Sequence, residues 1–196
     1  MILKRATPKA IKYACMNFHY AKSVPSVQFG YNIYNAMNEW AGVILFGNGA
    51  NNNIAKIFGL IQGEVLELVR VALNGKQEYT SMAVSKALKQ LHKDNPLCKI
   101  VVSYSDHRQK HIGTIYQATN WLYVGTSITT DTQYFYNGKW THERTINGHN
   151  NRDELKAKLP KRENSNKFKY IFCFDKKLRK IYQQKALPYP KDKDLT

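Results

Sequence analysis

Three cysteines in 196 residues are too few, and odd in number, for a disulfide framework. Cys15, Cys98 and Cys173 show no CxxC spacing, which argues against a structural zinc site. Cys98 and Cys173 stand beside apolar residues and are expected as small core side chains. No apolar run approaches the roughly 20 residues of a membrane span. Met1 to Tyr20 lacks the continuous apolar stretch of a signal peptide. These absences predict a soluble chain in a reducing cytoplasm. Catalytic signatures are missing as well: there is no GxxxxGKS or GxxxxGKT, GxGxxG, HExxH or GxSxG. P-loop NTPases, Rossmann dehydrogenases, zincins and α/β-hydrolases lose their simplest support. Neither the RNP signature of an RNA-recognition domain nor a zinc-finger spacing occurs.

Acidic residues are scarce. Fourteen Asp and Glu stand against 30 Lys and Arg, a net charge of +16. That excess favours a polyanion, with nucleic acid as the first candidate, through phosphate neutralisation and counterion release. Thirteen Tyr and three Trp are interleaved with the cations. Such a mix suits stacking on bases, and it is also ordinary core and surface composition.

Hydrophobic content of 43% supports a normal core. Residues 1–184 read as one domain and 185–196 as a loose polar tail with Pro188 and Pro190. Residues 19–38, rich in Tyr and Asn, read as a loop with short helical pieces. Trp40 to Phe46 and Val65 to Leu73 are apolar, β-branched strands, joined by a long connection rich in Gly and Asn. From Ser81 to His92 the apolar spacing fits one helix face, with Thr80 or Ser81 as N-cap and a stop at Asp94-Asn95-Pro96. Lys99 to Tyr104 is a buried strand. A short helix over 111–120 precedes a strand from Trp121 to Thr126. Asn137-Gly138 marks a hairpin inside 131–148. Residues 151–167 are charged surface, and Lys169 to Phe174 is a last strand. The alternation predicts an α/β fold with a mixed sheet.

The densest chemistry lies between Ile100 and Gly125, IVVSYSDHRQKHIGTIYQATNWLYVG. Asp106 follows a buried strand at its carboxyl end, where open α/β sheets bind ligands. It is a base, a donor-orienting group or a metal ligand, or else a turn or N-cap residue. Tyr116, on the following helix, is a proton donor or a packing residue. His111 is a base, a ligand or a helix-start residue. His107 and His111 have the i, i+4 spacing of a metal pair, but the polar run before Gly113 reads as a loop. Arg70 sits inside an apolar strand and needs an anionic partner or solvent. Glu67, three residues away, is expected on the opposite face of that strand. His19-Tyr20 is a titratable and aromatic pair in an irregular segment.

The run SYSDHRQKHIGTIYQATNWLYVG resembles the core of the Mom family, the DNA adenine-modifying proteins of phage Mu and related mobile elements. His19-Tyr20, the strand bearing Arg70, Asp106 and Tyr116 occur in that family's order and approximate spacing, over Phe18 to Thr126. The resemblance implies a GNAT-like acyltransferase fold, with a central mixed β-sheet flanked by helices. It implies conversion of adenine in duplex DNA to N6-(methylcarbamoyl)adenine, which protects phage DNA from host restriction in the bacterial cytoplasm. It carries the functional roles to His19, Tyr20, Arg70, Asp106 and Tyr116, with Tyr116 in the general-acid position of GNAT enzymes.

The same resemblance bears on cofactors and partners. The usual GNAT pyrophosphate loop is Gly-rich, because helix N-terminal amides hold the anion. Here the corresponding residues are 74–81, with one Gly and a Glu, and Lys76, Thr80 and Ser81 are its candidate anion ligands. The donor is a small molecule, acetyl-CoA or a relative. Family proposals include iron, for which His19 and Asp106 are the candidate ligands. Lys161 and Arg162, in a basic run with Lys156 and Lys158, are candidate contacts to double-stranded DNA. So are Lys176, Lys177 and Arg179. The competing functions are a GNAT acetyltransferase acting on a protein or small amine, and a basic DNA-binding protein without chemistry.

Overall fold

A computed structural model describes residues 1–49, 53–127, 132–163 and 166–195, with the backbone alone at 193 and 195. In chain order the elements are β1 (Ile2–Arg5), α1 (Pro8–Asn17), β2 (Phe29–Tyr34), β3 (Trp40–Gly47), α2 (Ile54–Ile57), β4 (Val65–Leu73) and α3 (Thr80–Asp94). They continue with β5 (Ile100–Asp106), a 3-10 turn (His107–Gln109), α4 (Thr114–Gln117), β6 (Leu122–Ser127), β7 (Thr132–Tyr136) and β8 (Lys139–His142). Last come α5 (Glu143–Asn147), α6 (Arg152–Lys158), β9 (Lys161–Glu163), β10 (Lys167–Cys173) and α7 (Lys176–Gln183).

Seven strands form the main sheet in the order β1-β2-β3-β4-β5-β10-β6. Only the β4–β5 pair is parallel, connected by α3, so the sheet is mixed. The amphipathic α3 buries Ala83, Val84, Ala87, Leu88 and Leu91 against one face, with Trp121 and Tyr170 in the same core. Ala14 and Cys15 of α1 pack with Val43 and Leu45 on the opposite face. There Leu178 and Tyr182 of α7 cover Val65, Ile100, Val102 and Ile171. All three cysteines are buried, two of them as expected from their apolar neighbours. Among the described residues no helix is long and apolar enough to cross a membrane.

Between β6 and β10 the chain inserts a second, three-stranded sheet in the order β8-β7-β9. Its hairpin turns at Asn137 (φ 50°) and Gly138 (φ 76°), the left-handed pair that Asn-Gly supplies. Ile146 of α5 and Tyr134 of β7 are buried on one side of this small sheet.

The structure corrects four local expectations. Residues 29–34 form β2, not loop: antiparallel ladders to β1 and β3 override the low strand propensity of Gly30 and Asn32. The N-cap of α3 is Tyr79, without a side-chain cap, so Thr80 already lies inside the helix. The helix expected over 111–120 shrinks to α4, because Gly113 (φ 76°) and Asn120 (φ 63°) bound it in left-handed conformations. The tail is tied down rather than loose. Leu187 N–H bonds the Tyr123 carbonyl at 2.9 Å, and the Tyr189 hydroxyl bonds the Trp121 carbonyl at 2.6 Å. Of the Gly- and Asn-rich connection after β3, residues 50–52 lie outside the described residues, as do residue 131 of the 131–148 segment and residue 196 of the tail.

Candidate active site

The main sheet splits along one seam. β4 and β5 pair only at Val65↔Ile100, Leu66↔Val101 and Glu67↔Val102. Beyond that point β4 continues against β3 alone and β5 against β10 alone. Ser103 marks the opening: its Oγ, not a backbone amide, reaches the Leu68 carbonyl at 3.1 Å. The wedge widens into a cleft of about 610 Å³, lined by residues 67–71 of β4, 104–106 of β5, 110–116 and the chain after α1. That volume is in the range of small-molecule sites.

His19, Tyr20, Arg70, Asp106 and Tyr116 all line this one cleft. Four separate segments deliver them: the chain after α1, the bulged strand β4, the carboxyl end of β5 and α4. His19 and Tyr20 stack on each other (ring centroids 4.3 Å apart), and Tyr20 meets the His111 ring edge-on at 6.3 Å. Asp106 caps the 3-10 turn, its Oδ1 accepting from Arg108 N–H at 3.0 Å. The capping and cleft-lining readings of Asp106 thus both hold.

A β-bulge reverses one expectation. The β3–β4 register pairs Leu45 with Arg70 but Phe46 with Leu68, leaving Val69 as an extra residue. Leu66 and Leu68, then Val71 and Leu73, join the core on the α3 side, so the alternation shifts by one across the bulge. Glu67 and Arg70 therefore face the same side, not opposite sides. Arg70 is held by its own strand and by the chain after α1: Nη1 donates to the Val69 carbonyl at 2.8 Å and Nη2 to Ser23 Oγ at 3.1 Å. Its Nε is buried with no hydrogen bond among the described residues.

Burial sets the protonation states. Burial pushes the Glu67 carboxyl up to about 7, against the opposing charges of Lys167 and Arg70. It pushes the Tyr116 phenol up to about 12, while Ser103 at 2.8 Å pulls the other way. Burial, together with the charges of Arg70, His111 and Lys22, lowers His19 to about 4. At neutral pH His19 is therefore an uncharged imidazole. Its Nδ1 accepts from Ala21 N–H at 3.1 Å, which puts the ring proton on Nε2.

Glu67 and Ser103 are the residues that sequence reasoning missed. In VLELVRVAL plain strand alternation puts Glu67 on the face opposite Arg70, and no sequence signal marks the bulge. Ser103 lies in the quoted motif, but nothing in the sequence aims it at Tyr116.

Other expected ligands lie elsewhere. Lys76 pairs with Glu39 at 2.7 Å, Thr80 Oγ1 accepts from Gln77 Nε2 at 3.0 Å, and neither they nor Ser81 line the cleft. Lys161 and Arg162 belong to β9, beside Arg108 and the Asp106 end of the sheet. Lys176, Lys177 and Arg179 belong to α7, where Arg179 grips Asn120 at the opposite end of β5. The seven-residue β5 separates the two groups by roughly 20 Å.

The donors do not fit an iron centre. A ligating imidazole donates its second N–H to an acceptor, whereas His19 Nδ1 itself accepts. Among the described residues no three His, Cys, Asp or Glu side chains converge as a metal set.

The sheet order, the parallel pair that splays and the cleft at the split define the acetyltransferase fold of the GNAT type. A Bacillus subtilis acetyltransferase solved with CoA superposes with a TM-score of 0.51 at 11% identity, over 88% of this chain and 98% of that one. A spermidine N-acetyltransferase from Vibrio cholerae gives 0.51 at 7% identity, over 88% and 95%. Within that fold, the chain belongs to the Mom protein family, whose description matches residues 1–191. It is 29% identical over 163 residues to the methylcarbamoylase mom of Escherichia phage Mu, covering 76% of this chain and 67% of that protein.

Proposed function

We propose that this protein modifies adenine in duplex DNA, placing a methylcarbamoyl group on N6, and so shields phage DNA from restriction. The convergence of His19, Tyr20, Arg70, Asp106 and Tyr116 on one cleft carries this reading. The +16 charge supports a DNA substrate, and the family relative is a methylcarbamoylase.

N6 of adenine is a poor nucleophile, because its lone pair is delocalised into the ring. Inside the duplex it is also paired, so the base must leave the stack at a cost of about a few kcal/mol. Tyr20, stacked on His19 at the cleft wall, offers the flipped base an aromatic face. Asp106 accepts a hydrogen bond from the amine and orients it. Glu67, titrating near neutrality, takes the proton as the new bond forms. Tyr116 keeps its proton at any physiological pH and donates it to the leaving group. Arg70, with its unpaired Nε, holds an oxygen of the donor.

The donor is a small molecule that already carries the methylcarbamoyl group on a leaving atom, because acetyl-CoA alone would deliver an acetyl group without the nitrogen. N6 bonds to that group, and the leaving atom takes the Tyr116 proton. The residues able to hold it are those of the splay, where the β4 backbone beyond Leu68 lacks a strand partner on the β5 side and can pair with an extended amide chain. Lys161 and Arg162 contact phosphates at the cleft, and Lys176, Lys177 and Arg179 hold flanking duplex.

The test is mass spectrometry of nucleosides from plasmid DNA of bacteria expressing the wild type, Asp106→Ala or Tyr116→Phe. The expected result is an adenosine heavier by a methylcarbamoyl group, absent in both variants. Unmodified DNA from soluble, folded wild-type protein overturns the reading. Tight acetyl-CoA binding would then identify an acetyltransferase of a protein or small amine. Salt-sensitive DNA binding alone would identify a binding protein.

A further inference from the structure

The inserted small sheet has two unlike faces. Tyr134 and Tyr136 point to the side covered by α5, where Tyr134 is buried and Tyr136 meets His149 edge-on at 5.2 Å. Strand alternation sends Gln133 and Phe135 to the other side, where the register sets Phe135 opposite Trp140 and Gln133 opposite Arg162. No helix covers that side among the described residues. Phe135 and Trp140 remain 41% and 37% exposed while touching edge-to-face at 5.4 Å. The Arg162 guanidinium lies over the Trp140 ring at 4.1 Å.

This face is fastened to the catalytic cleft. Arg108, two residues past Asp106, bonds Gln133 Oε1 at 2.8 Å and also the Glu163 carbonyl. Arg162 Nε bonds the same Gln133 oxygen at 3.0 Å. Two guanidinium groups and two exposed aromatic rings are thus held together on one patch beside Asp106. Phe135 and Trp140 form an adjoining exposed aromatic pair with a cation over Trp140, the kind of exposed apolar surface that marks an interaction site. Paired with cations, they are the composition that stacks on unpaired bases while the positive charge follows the backbone.

We propose that the Phe135–Trp140–Arg162 face is a stacking platform for DNA. It takes bases exposed beside the target adenine when that adenine enters the cleft, and Arg108 and Arg162 take the adjoining phosphates. This rests on the DNA-modification reading. It assigns to the insert the holding of the opened duplex, a task that none of the five cleft residues performs.

Tryptophan fluorescence gives a direct readout. Of the three tryptophans, Trp121 is fully buried and Trp40 packs against Phe18 and Tyr13, leaving Trp140 as the exposed one. The purified full-length protein is titrated with a duplex carrying 2-aminopurine in place of several adenines. The expected result is quenching of protein fluorescence and a rise in 2-aminopurine emission. Trp140→Phe should abolish the quenching. Phe135→Ala with Trp140→Ala should lower plasmid modification in cells about tenfold or more. Arg162→Gln, which removes charge without emptying a core, serves as a second variant, and melting temperatures confirm that each variant is folded.

Quenching that persists in Trp140→Phe, or full modification by the double variant, overturns the platform while leaving the DNA reading intact. Wild-type protein that neither binds duplex nor modifies plasmid overturns the DNA reading itself, and the platform with it.

Discussion

The Oγ of Ser103 lies 2.8 Å from the Oη of Tyr116 at the point where β4 and β5 part. The same Oγ reaches the Leu68 carbonyl at 3.1 Å, and a hydroxyl has one proton to give. Given to Leu68, that proton leaves Oγ as an acceptor for the Tyr116 phenol. Given to Tyr116, it leaves the phenol proton free for another acceptor. The opening of the sheet thus creates both the cleft and a partner for the Tyr116 phenol.

Tyr116→Phe is expected to abolish modification while the melting temperature and DNA binding stay near wild type. Ser103→Ala is expected to retain modification at a level reduced about tenfold, and to cost about 1 kcal/mol of stability for a buried hydrogen bond. Nucleoside mass spectrometry and denaturant melts check both. Wild-type modification by Tyr116→Phe removes the phenol from the chemistry.

Glu67 titrates at about 7 when folded and at 4.5 as a free side chain. Because the folded value is the higher one, its favourable contribution is complete below about pH 4.5. That contribution is lost as pH rises through about 7. Thermal melts should therefore show Glu67→Gln gaining on the wild type between pH 5 and 8. Modification of added plasmid in cell extract should rise to a plateau near neutral pH for the wild type. A profile that Glu67→Gln leaves unchanged in shape would exclude the carboxylate as base.

His19 behaves in the opposite sense. Its folded value of about 4 lies below the usual 6.5, so its contribution is complete above about 6.5 and is lost as pH falls towards 4. Imidazole NMR of the folded protein should show one ring, absent in His19→Gln, still neutral at pH 5.5. A ring that protonates near 6.5 would mean that the cleft does not desolvate it.

Gly113 has φ 76°, and a Cβ there would meet the Tyr170 ring at 2.5 Å. The Tyr170 hydroxyl in turn bonds the Ile112 carbonyl, and its ring packs on Tyr116 at 5.0 Å. Gly113→Ala should cost on the order of 1–3 kcal/mol in backbone strain alone and displace α4. Melting temperature and modification should fall together. An unchanged melting temperature would show that the loop relaxes freely.

Release of the insert is checked by limited proteolysis. Arg108→Ala removes the bonds to Gln133 and Glu163, so cleavage within 132–163 should accelerate while the main sheet remains resistant. Equal digestion of wild type and variant would show that the connections to β6 and β10 suffice to hold the insert.

Local patterns in the chain determined much of this protein. The apolar run Trp40 to Phe46, the helical spacing of Val84, Leu88 and Leu91 and the Asn137-Gly138 turn each specify their element through short-range physics, and each formed. The motif residues His19, Tyr20, Arg70, Asp106 and Tyr116 were legible because their types and order are carried in the sequence. Relationships across strands were not. Gly30 and Asn32 became strand residues only because β1 and β3 flank them. Glu67 came round to the side of Arg70 only because the register against β3 slips at Val69. The tail docked because carbonyls of Trp121 and Tyr123, distant in sequence, were open to it. Register, bulges and desolvation depend on partners tens of residues away, so tertiary structure alone decided which carboxylate is held near neutrality and which aromatic face is left uncovered.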